Sequence, residues 1–506
     1  MTKILNKDRL LKILLDLRKR KKKISLCHGV FDLVHYGHIL HFKSAKKLSD
    51  ILIVSITKDK FIKKGIGRPL FDETRRLNYL NEISVIDYIY GCETDSAEDS
   101  IRIIKPDFYV KGPDYKNNLS DNTKKILLEK KLVQKFGGKI IYTNDEKFSS
   151  SRIINEKNLL SINSDQENYI NNIKDKFGYN YIRNKIYDFK RIKPLVVGEL
   201  IIDHYCFGDV IGKAGKEPHL VLKETSNEFY VGGSGAIARH MSSFVGNIKL
   251  IAPFGGEFYF KKILKKSFDR NIYTDFIKPE KNYLSIVKKR FIDKVSNYKM
   301  FGSYILPNNS KKSFSKILIS KIKRKIDSVN MILVCDYGHN FIDKNSAKFI
   351  SGIRKFKALN AQLNSANIGY HSLNNYRNID VLVINETELR QELREDKLDL
   401  NILAKILIKK NKIKNLIITK GKEGAVLYKT DLKPIFCPAF VTQSIDKVGA
   451  GDAMLSISSL AIKQGLDSEL VLFLGSIAAA ISVKNIGNKI SVNINDLDRI
   501  IEYMLK

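Results

Sequence analysis

The chain has 506 residues, 43% of them hydrophobic, and a formal net charge of +34. This length predicts more than one domain, because a domain usually holds about 100–200 residues, and no apolar run approaches the roughly 20 residues that a membrane-spanning helix needs. The basic residues are spread along the chain without a nucleic-acid-binding motif, which favours solvated surfaces over a nucleic-acid partner.

The chain begins with a segment, MTKILNKDRLLKILLDLRKRKKK, that predicts an amphipathic helix ending in a basic run. It lacks the order of charged, apolar and small residues that marks a signal peptide. The five cysteines are far apart and form no CxxC pair, so we expect neither a zinc site nor a disulfide framework. Both observations are typical of a cytoplasmic protein, and we expect no membrane partner.

Short apolar strands alternate with helical stretches up to about residue 160, and a second alternating series starts at KPLVVGELIID. Such alternation predicts parallel, doubly wound sheets. A polar stretch with helical spacing lies between the two series. We therefore predict an α/β protein with two doubly wound domains, 1–160 and 191–506, joined by a connecting helix at 161–190.

The segment GVFDLVHYGHILHFKSAKKL is the strongest signal in the first domain. Gly29 follows a strand and allows the backbone to approach closely at the turn. His35 and His38 lie at the start of a helix and can converge on one anion with help from the helix N-terminus. That arrangement suits an α-phosphate that is attacked by a second phosphate while pyrophosphate leaves. Lys43 and Lys46, on the same helix, are candidates to hold the outer phosphates.

This string resembles the GxFDxxHxGH signature of the cytidylyltransferase-like nucleotidyltransferases, and the similarity runs to about residue 155. It is closest to the adenylyltransferase domain of bifunctional heptose-phosphate kinase/adenylyltransferases. The resemblance implies a Rossmann-like fold, catalytic roles for His35 and His38, and nucleotide contacts from Gly29 and Phe31. Through the segments KDKF, ETRRL, VKGPDY and FSSSRII it also implies substrate contacts from Asp32, Asp59, Lys111 and Asp114 and nucleotide contacts from Arg76, Ser149, Ser150 and Ser151.

DKVGAGDAML is the second strong signal. Gly449, Ala450 and Gly451 would expose backbone N–H groups at the start of a helix and form an anion hole for a transferring phosphoryl group. Asp452 then lies where a general base can take the proton from an attacking hydroxyl. A glycine-rich turn is a common helix cap, but an acid directly after it, opening a helix of small residues, favours catalysis.

This segment resembles the DTxGAGD signature of the ribokinase-like PfkB sugar kinases, and the similarity covers roughly 190–506. The resemblance implies a ribokinase-like α/β domain that uses Mg-ATP, with Mg²⁺ organised through water by Glu388. It implies sugar contacts from Asp203, Gly232, Gly233, Lys288 and Arg290 and nucleotide contacts from Asn385, Glu388, Thr419, Gly421 and Gly424. Lys288 and Arg290 are two apart on a strand, so both point to one face and can converge on a phosphate that the sugar already carries.

Several residues depart from the family pattern. Glu199 replaces an aspartate, Ala236 replaces an asparagine that normally contacts sugar hydroxyls, and Lys447 replaces a threonine beside the anion hole. A segment that begins at Asn360 replaces a DPK-like segment, and the domain order is reversed relative to the heptose enzymes. These departures leave the sugar open and raise the alternative of a weakened kinase.

We therefore predict a bifunctional enzyme. Its kinase phosphorylates a sugar phosphate similar to heptose 7-phosphate, and its transferase joins the sugar 1-phosphate to a nucleoside monophosphate with release of pyrophosphate. The resemblance implies ATP for the transfer, with CTP left open, and a homodimer formed through the kinase domain. One alternative is a CTP-dependent cytidylyltransferase for a polyol phosphate. In another, the kinase-like domain only binds sugar or dimerises, and in a third the basic chain binds nucleic acid.

Overall fold

The computed structural model describes residues 3–62, 69–112, 125–143, 163–217, 219–278, 280–294, 298–307, 314–362, 372–430, 432–441, 448–484 and 486–506, together with Ser296, Asn367 and Asp446. The chain divides into two compact units, Met1–Ser161 and Ile162–Lys506. Among the described residues, no helix combines the length and the apolar character needed to cross a membrane.

The first unit is built on one six-stranded sheet. Its strands are β1 (Ile4–Leu5), β2 (Ile24–Gly29), β3 (Ile51–Thr57), β4 (Tyr88–Cys92), β5 (Phe108–Lys111) and β6 (Lys139–Tyr142). Its helices are α1 (Lys7–Lys19), α2 (Tyr36–Lys47), α3 (Glu73–Asn81), α4 (Glu98–Ile104) and α5 (Lys125–Lys135). The strand order is β1-β4-β3-β2-β5-β6, and every pair is parallel.

The helices of this unit bury two separate apolar clusters. Leu10 of α1 and Ile101 of α4 belong to one cluster, and Phe42 of α2 and Leu80 of α3 belong to the other. Two clusters on one sheet are expected when helices cover both of its faces. The predicted Rossmann-like, doubly wound domain is confirmed.

The second unit begins with two helices, α6 (Ser164–Phe177) and α7 (Tyr179–Tyr187), where the sequence predicts one connecting helix. Gly178, with φ +69°, separates them. Tyr169 of α6 donates to the Glu469 carbonyl oxygen at 2.9 Å, and Tyr179 of α7 donates to Asp498 Oδ1 at 3.1 Å. These contacts to the C-terminal part of the chain make both helices part of the second unit.

Two sheets form the framework of the second unit. Its strands are β7 (Pro194–Gly198), β8 (Leu200–Lys213), β9 (Leu220–Gly233), β10 (Ile248–Pro253), β11 (Ile272–Ile277), β12 (Ile286–Asp293), β13 (Lys299–Ile305), β14 (Met331–Asp336), β15 (Phe356–Ala361), β16 (Ile379–Asn385), β17 (Ile413–Thr419), β18 (Ala425–Lys429) and β19 (Ile435–Cys437). The larger sheet has the order β11-β10-β7-β14-β15-β16-β17-β18-β19, and it is parallel up to β17.

Helices cover the larger sheet. The remaining helices are α8 (Ser234–Ser242), α9 (Phe258–Ser267), α10 (Ser315–Lys325), α11 (Lys344–Gly352), α12 (Glu386–Leu393), α13 (Leu400–Asn411), α14 (Ala450–Lys463), α15 (Ser468–Ser482) and α16 (Ile494–Leu505). Helices α10 to α13 share one apolar cluster with the strands, and α8, α14 and α15 pack on β7, β16 and β18 with residues outside that cluster. The predicted ribokinase-like α/β fold is confirmed.

The smaller sheet, with the order β13-β12-β8-β9, was not anticipated from the sequence. We call it the cover sheet. Most of β13 is exposed, so that strand lacks the apolar alternation from which a strand is usually recognised. This sheet supplies one wall of the cavity described below.

Candidate active sites

The two motif histidines lie in contact at the N-terminus of α2. The His35 N–H donates to His38 Nδ1 at 3.4 Å, and the two rings stack with their centroids 4.0 Å apart. They follow β2, whose neighbours are β3 and β5, so they lie where the strand order reverses at the carboxyl edge of the sheet. Open α/β sheets bind ligands at this place, and a helix N-terminus favours an anion.

Phe31 shapes the turn that leads to the histidines. Its backbone has φ +48°, an uncommon conformation for a residue with a side chain. Its ring packs edge-on against His38 and Phe42, with centroids 5.3 and 5.2 Å away. A Cβ at Gly29 would lie 3.1 Å from the Phe31 ring, a tight contact that glycine avoids. Burial lowers the pKa of His35, so its neutral form is favoured.

Arg76 contacts other parts of the protein and is not exposed. Its side chain is fully buried and donates to the carbonyl oxygens of Val30 (2.6 Å), Thr57 (3.0 Å) and Phe71 (3.1 Å) and to Asp59 Oδ1 (2.6 Å). Donors occupied in this way do not reach a bound nucleotide, so the expected direct contact is corrected to a positioning role. Arg76 ties the segments after β2 and β3 together.

Lys46 also lies away from the histidines. Its ammonium pairs with Asp87 Oδ2 at 2.6 Å and donates to the Asp50 carbonyl oxygen at 2.5 Å, while Asp87 accepts from the Leu52 N–H at the start of β3. From residue 36 to residue 46 a helix rises about 15 Å. The expected phosphate contact of Lys46 is therefore corrected. Lys43 is exposed, and its phosphate contact stays a prediction.

Lys111 ends β5, directly beside β2 in the sheet. Its ammonium lies 3.3 Å from Glu129 Oε2, which also accepts from the Tyr109 hydroxyl at 2.9 Å. Burial alone would raise the pKa of Glu129, but the Lys111 charge and hydrogen bonds outweigh burial and lower it.

Asp32 is buried and accepts from the Phe71 N–H at 3.1 Å. Other predicted contacts of this domain fall outside the described residues, on Asp114, Ser149, Ser150 and Ser151.

A cavity of about 600 Å³ lies between the cover sheet and the N-terminus of α14. It brings together nearly all the residues predicted for the kinase site: Asp203, Gly233, Lys288, Arg290, Asn385, Glu388, Thr419, Gly421, Gly424, Gly449, Ala450, Gly451 and Asp452. Gly232 lies behind the wall, where a Cβ would come within 2.2 Å of Asp203 Oδ2. Residues far apart in the sequence thus form one concave site, as substrate pockets require.

Asp452 lies in the first turn of α14 and faces this cavity. Its Oδ1 accepts from the Tyr337 hydroxyl at 3.0 Å and from Asn360 Nδ2 at 3.3 Å. Burial raises the pKa of Asp452 to about 7, which is where a general base works best at neutral pH. Asn360, which the sequence marks as a departure, therefore orients the candidate base, and Tyr337 does the same.

This pKa leads to a pH prediction for the kinase. A base must be ionised, so kcat/KM for phosphorylation should be half-maximal near pH 7 and fall about tenfold per unit below it. The measurement is kcat/KM of the parent enzyme between pH 5.5 and 8.5. The control is the residual activity of Asp452→Asn, which should not show the fall in kcat/KM below pH 7. A parent profile that is flat across the range would contradict the assignment.

The turn before Asp452, formed by Gly449, Ala450 and Gly451, lines the cavity. Gly449 has φ +90°, and a Cβ there would come within 2.3 Å of Asn488 Oδ1, so glycine is required on both counts. Ala450 opens α14, and its N–H group and those after it are the orphan donors of a helix start. Together with the helix dipole they suit a phosphate. Lys447 lies outside the described residues.

The cover sheet contributes charged residues to the cavity lining. Lys288 stands opposite Asp203 in the parallel pair of β12 and β8, and Arg290 two residues on shares its face. Arg290 Nη1 donates to Asp203 Oδ1 at 2.6 Å. Lys288 is 6% exposed, its ammonium lies 5.4 Å from the Tyr304 ring centroid, and it forms no ion pair with another described residue. Both side chains line the cavity, and burial lowers the pKa of Lys288 although the Asp203 carboxylate opposes this effect.

Glu199 has a structural role. It is fully buried and accepts from the backbone N–H groups of Tyr337 at 2.9 Å, His339 at 3.2 Å and Phe341 at 3.4 Å. A glutamate in this place therefore holds the loop that carries Tyr337. Ala236 is buried in α8 and does not line the cavity.

Asn385 and Glu388 form the capping box of α12. Asn385 Oδ1 accepts from the Glu388 N–H at 2.8 Å, and Glu388 Oε2 accepts from the Asn385 N–H at 3.1 Å. Both residues also line the cavity. No group of three or more His, Cys, Asp or Glu side chains that could hold a metal occurs in the described parts of the chain. Mg²⁺ usually takes one or two carboxylates with phosphates and waters, so Glu388 fits an ion that arrives with a nucleotide.

Two family models match the chain. The pfkB family carbohydrate kinase model matches residues 192–495, and the cytidylyltransferase-like model matches residues 26–157. A bifunctional protein HldE of Desulfatibacillum aliphaticivorans is 34% identical over 144 residues, covering 28% of each chain. Another from Campylobacter jejuni strain RM1221 is 40% identical over 119 residues, covering 23% of this chain and 25% of its own. The chain thus spans about a quarter of the length of these relatives, through its N-terminal part.

Solved structures are similar to the second unit. The Arabidopsis thaliana ribokinase, solved with ribose and ATP, is 17% identical, covers 62% of this chain and 99% of its own, and gives a TM-score of 0.45. The Escherichia coli phosphofructokinase-2, solved with potassium, is also 17% identical, with the same coverage and a TM-score of 0.49.

Proposed function

Because the chain belongs to the pfkB family of carbohydrate kinases and carries a cytidylyltransferase-like domain, we propose that it phosphorylates a sugar and also transfers a nucleotidyl group to a sugar 1-phosphate. The observation that carries the proposal is the position of Asp452, a carboxylate with a pKa of about 7 that faces a cavity beside the glycine-rich turn. The histidine pair at the start of α2 supports the second activity.

In the kinase reaction, a sugar hydroxyl lies against Asp452 and gives its proton to the carboxylate as the oxygen attacks the γ-phosphate of ATP. The bond to the bridging oxygen breaks, and ADP leaves. Tyr337 and Asn360 hold that carboxylate in place. The N–H groups after Gly449 stabilise the charge of the transferring group. Mg²⁺ bound with the nucleotide would be held by Glu388 and would neutralise phosphate charge.

In the transferase reaction, an oxygen of the sugar 1-phosphate attacks the α-phosphate of a nucleoside triphosphate, and pyrophosphate leaves. His35 and His38 stabilise the charge that develops on the α-phosphate, with help from the N-terminus of α2. Lys111, at the end of the neighbouring strand, lies at the same edge of the sheet, where its ammonium is paired with Glu129.

We further propose that the sugar already carries a phosphate, as a heptose 7-phosphate does. Lys288 and Arg290 line the same cavity as Asp452 and belong to the cover sheet. Arg290 is paired with Asp203. The Lys288 ammonium is therefore the cation that we assign to this phosphate.

Lys288→Met should raise KM for the sugar phosphate by about ten- to a hundredfold, because a charge-assisted contact is worth about 1.5–3 kcal/mol. KM for the corresponding free sugar should change little. The matched control is Lys289→Met, because Lys289 is the next residue and pairs with Glu224 at 3.4 Å. Equal losses on both substrates would place Lys288 outside the phosphate site.

Pyrophosphate release shows which nucleoside triphosphate, ATP or CTP, the transferase uses. We expect ATP to support transfer to a sugar 1-phosphate better than CTP, because the N-terminal unit resembles the adenylyltransferase domain of bifunctional heptose-phosphate kinase/adenylyltransferases and is similar to bifunctional HldE proteins. Assays with both nucleotides and a panel of sugar 1-phosphates and polyol phosphates give the answer. Release with CTP and a polyol phosphate alone would establish the alternative cytidylyltransferase. Assembly as a homodimer through the kinase domain stays a prediction.

A further inference from the structure

Asp446 is a buried carboxylate to which four different segments donate. Lys299 Nζ lies 2.5 Å from its Oδ1, and the Val448 N–H donates to the same oxygen at 3.1 Å. The Tyr205 hydroxyl and the Gly487 N–H donate to Oδ2 at 3.2 and 3.0 Å. The Asp446 side chain is 3% exposed, whereas that of Lys299 is 38% exposed and lines the cavity.

These contacts join two walls of the cavity. Lys299 lies on β13 and Tyr205 on β8, both in the cover sheet, whereas Val448 directly precedes the glycine turn that opens α14. The fit is close, because a Cβ at Gly487 would come within 2.6 Å of the Tyr205 hydroxyl. One carboxylate therefore links the sheet that carries the sugar-site cations to the turn that presents N–H groups to the phosphate.

The charge of the Asp446 carboxylate affects the proposed phosphate site, because Asp446 lies beside the glycine turn. Burial alone would raise the pKa of Asp446, but the hydrogen bonds from Lys299 and Val448 outweigh burial and lower it. The group is therefore ionised, and an unpaired negative charge beside a phosphate site would oppose phosphate binding. Lys299 contributes the cation of this pair.

We propose that Lys299 is a positioning residue for phosphoryl transfer, which neutralises Asp446 and holds the glycine turn against the cover sheet. The inference rests on the proposed kinase function. Lys299 acts through Asp446 and the turn, so its loss affects the transfer step more than the affinity for the sugar.

The first test compares Lys299→Ala with Lys289→Ala, a lysine of the same sheet whose partner Glu224 lies outside the cavity. With heptose 7-phosphate and Mg-ATP as the probe, we expect kcat to fall by at least about tenfold in Lys299→Ala, the loss of one charge-assisted contact. KM for the sugar phosphate should stay within about threefold, and Lys289→Ala should behave as the parent.

The second test restores the missing ammonium from solution. Lys299→Ala removes the whole side chain, so n-propylammonium at about the concentration of the buffer salt should recover part of the lost kcat, since it can donate N–H groups to Asp446. Tetramethylammonium has the same charge but no N–H group and serves as the control. Equal recovery with both cations, or recovery with neither, would overturn the proposal.

A third readout needs no substrate. Amide hydrogen exchange of the peptide that contains Val448 to Asp452 should be faster in Lys299→Ala than in the parent or in Lys289→Ala. Unchanged exchange together with unchanged kcat would overturn the inference. A parent that phosphorylates no sugar would overturn the proposed kinase function instead, and the exchange experiment would still decide whether Lys299 holds the turn.

Discussion

Asp452→Asn should lower the rate of sugar phosphorylation by at least about 100-fold, because the amide keeps the size of the carboxylate but cannot accept the proton. Nucleotidyl transfer from a supplied sugar 1-phosphate should persist, since His35 and His38 belong to the other compact unit. The measurement is kcat for each reaction with the same preparation. Full kinase activity in the variant would show that Asp452 is not the base.

Stability provides the control for this variant. Burial raises the pKa of Asp452 from 3.8 to about 7, so between these pH values the folded protein binds more protons at this site than the unfolded chain. Its contribution to stability therefore falls as pH rises through that window. Asp452→Asn should raise Tm at pH 8, and a lower Tm would mean that lost activity reflects damage to the fold.

His38→Ala should lower nucleotidyl transfer by about 10²–10³-fold and leave sugar phosphorylation unchanged. The reason is the loss of one preorganised donor to a developing phosphate charge. His41→Ala is the matched control, because His41 lies on the same helix and contacts Thr143 Oγ1 at 3.3 Å. A folded His38→Ala protein that transfers at the parent rate, or an equal loss in His41→Ala, would refute the assignment.

The sequence predicts the backbone of both sites well because the motifs are local. A glycine turn followed by a helix leaves orphan N–H groups whatever surrounds it, and Gly449 opens α14 as predicted. The same holds for His35 and His38 at the start of α2. Because the backbone conformation of such a motif depends mainly on its own residues, this part of the site can be predicted from the sequence before the fold is known.

Side-chain partners from distant segments could not be predicted in the same way. Arg76 donates to backbone carbonyl oxygens at the carboxyl ends of β2 and β3. Lys46 forms an ion pair with Asp87, 41 residues further along the chain. Asn360 begins the segment that replaces a DPK-like segment, and no sequence pattern indicated that it donates to Asp452, 92 residues further along the chain. Such pairings depend on how the strands are ordered in the sheet, which local patterns do not specify.

The cover sheet was missed for a related reason. Its strand β13 is largely exposed, and its sequence does not show the alternation of apolar and polar residues by which a half-buried strand is recognised. The structure pairs β13 with β12, and Lys299 of β13 lines the cavity beside Asp446. No sequence signal pointed to that ion pair.

The central claim is that one chain carries out two group transfers, sugar phosphorylation and nucleotidyl transfer to a sugar 1-phosphate, and product mass tests it most directly. The purified chain is incubated with heptose 7-phosphate, Mg-ATP and inorganic pyrophosphatase, and the products are identified by mass spectrometry. We expect a sugar bisphosphate from the parent and from His38→Ala, and none from Asp452→Asn. With a sugar 1-phosphate in place of heptose 7-phosphate, we expect a nucleotide sugar from the parent and from Asp452→Asn, and none from His38→Ala. A parent that forms neither product, or variants that lose both together, would contradict the account.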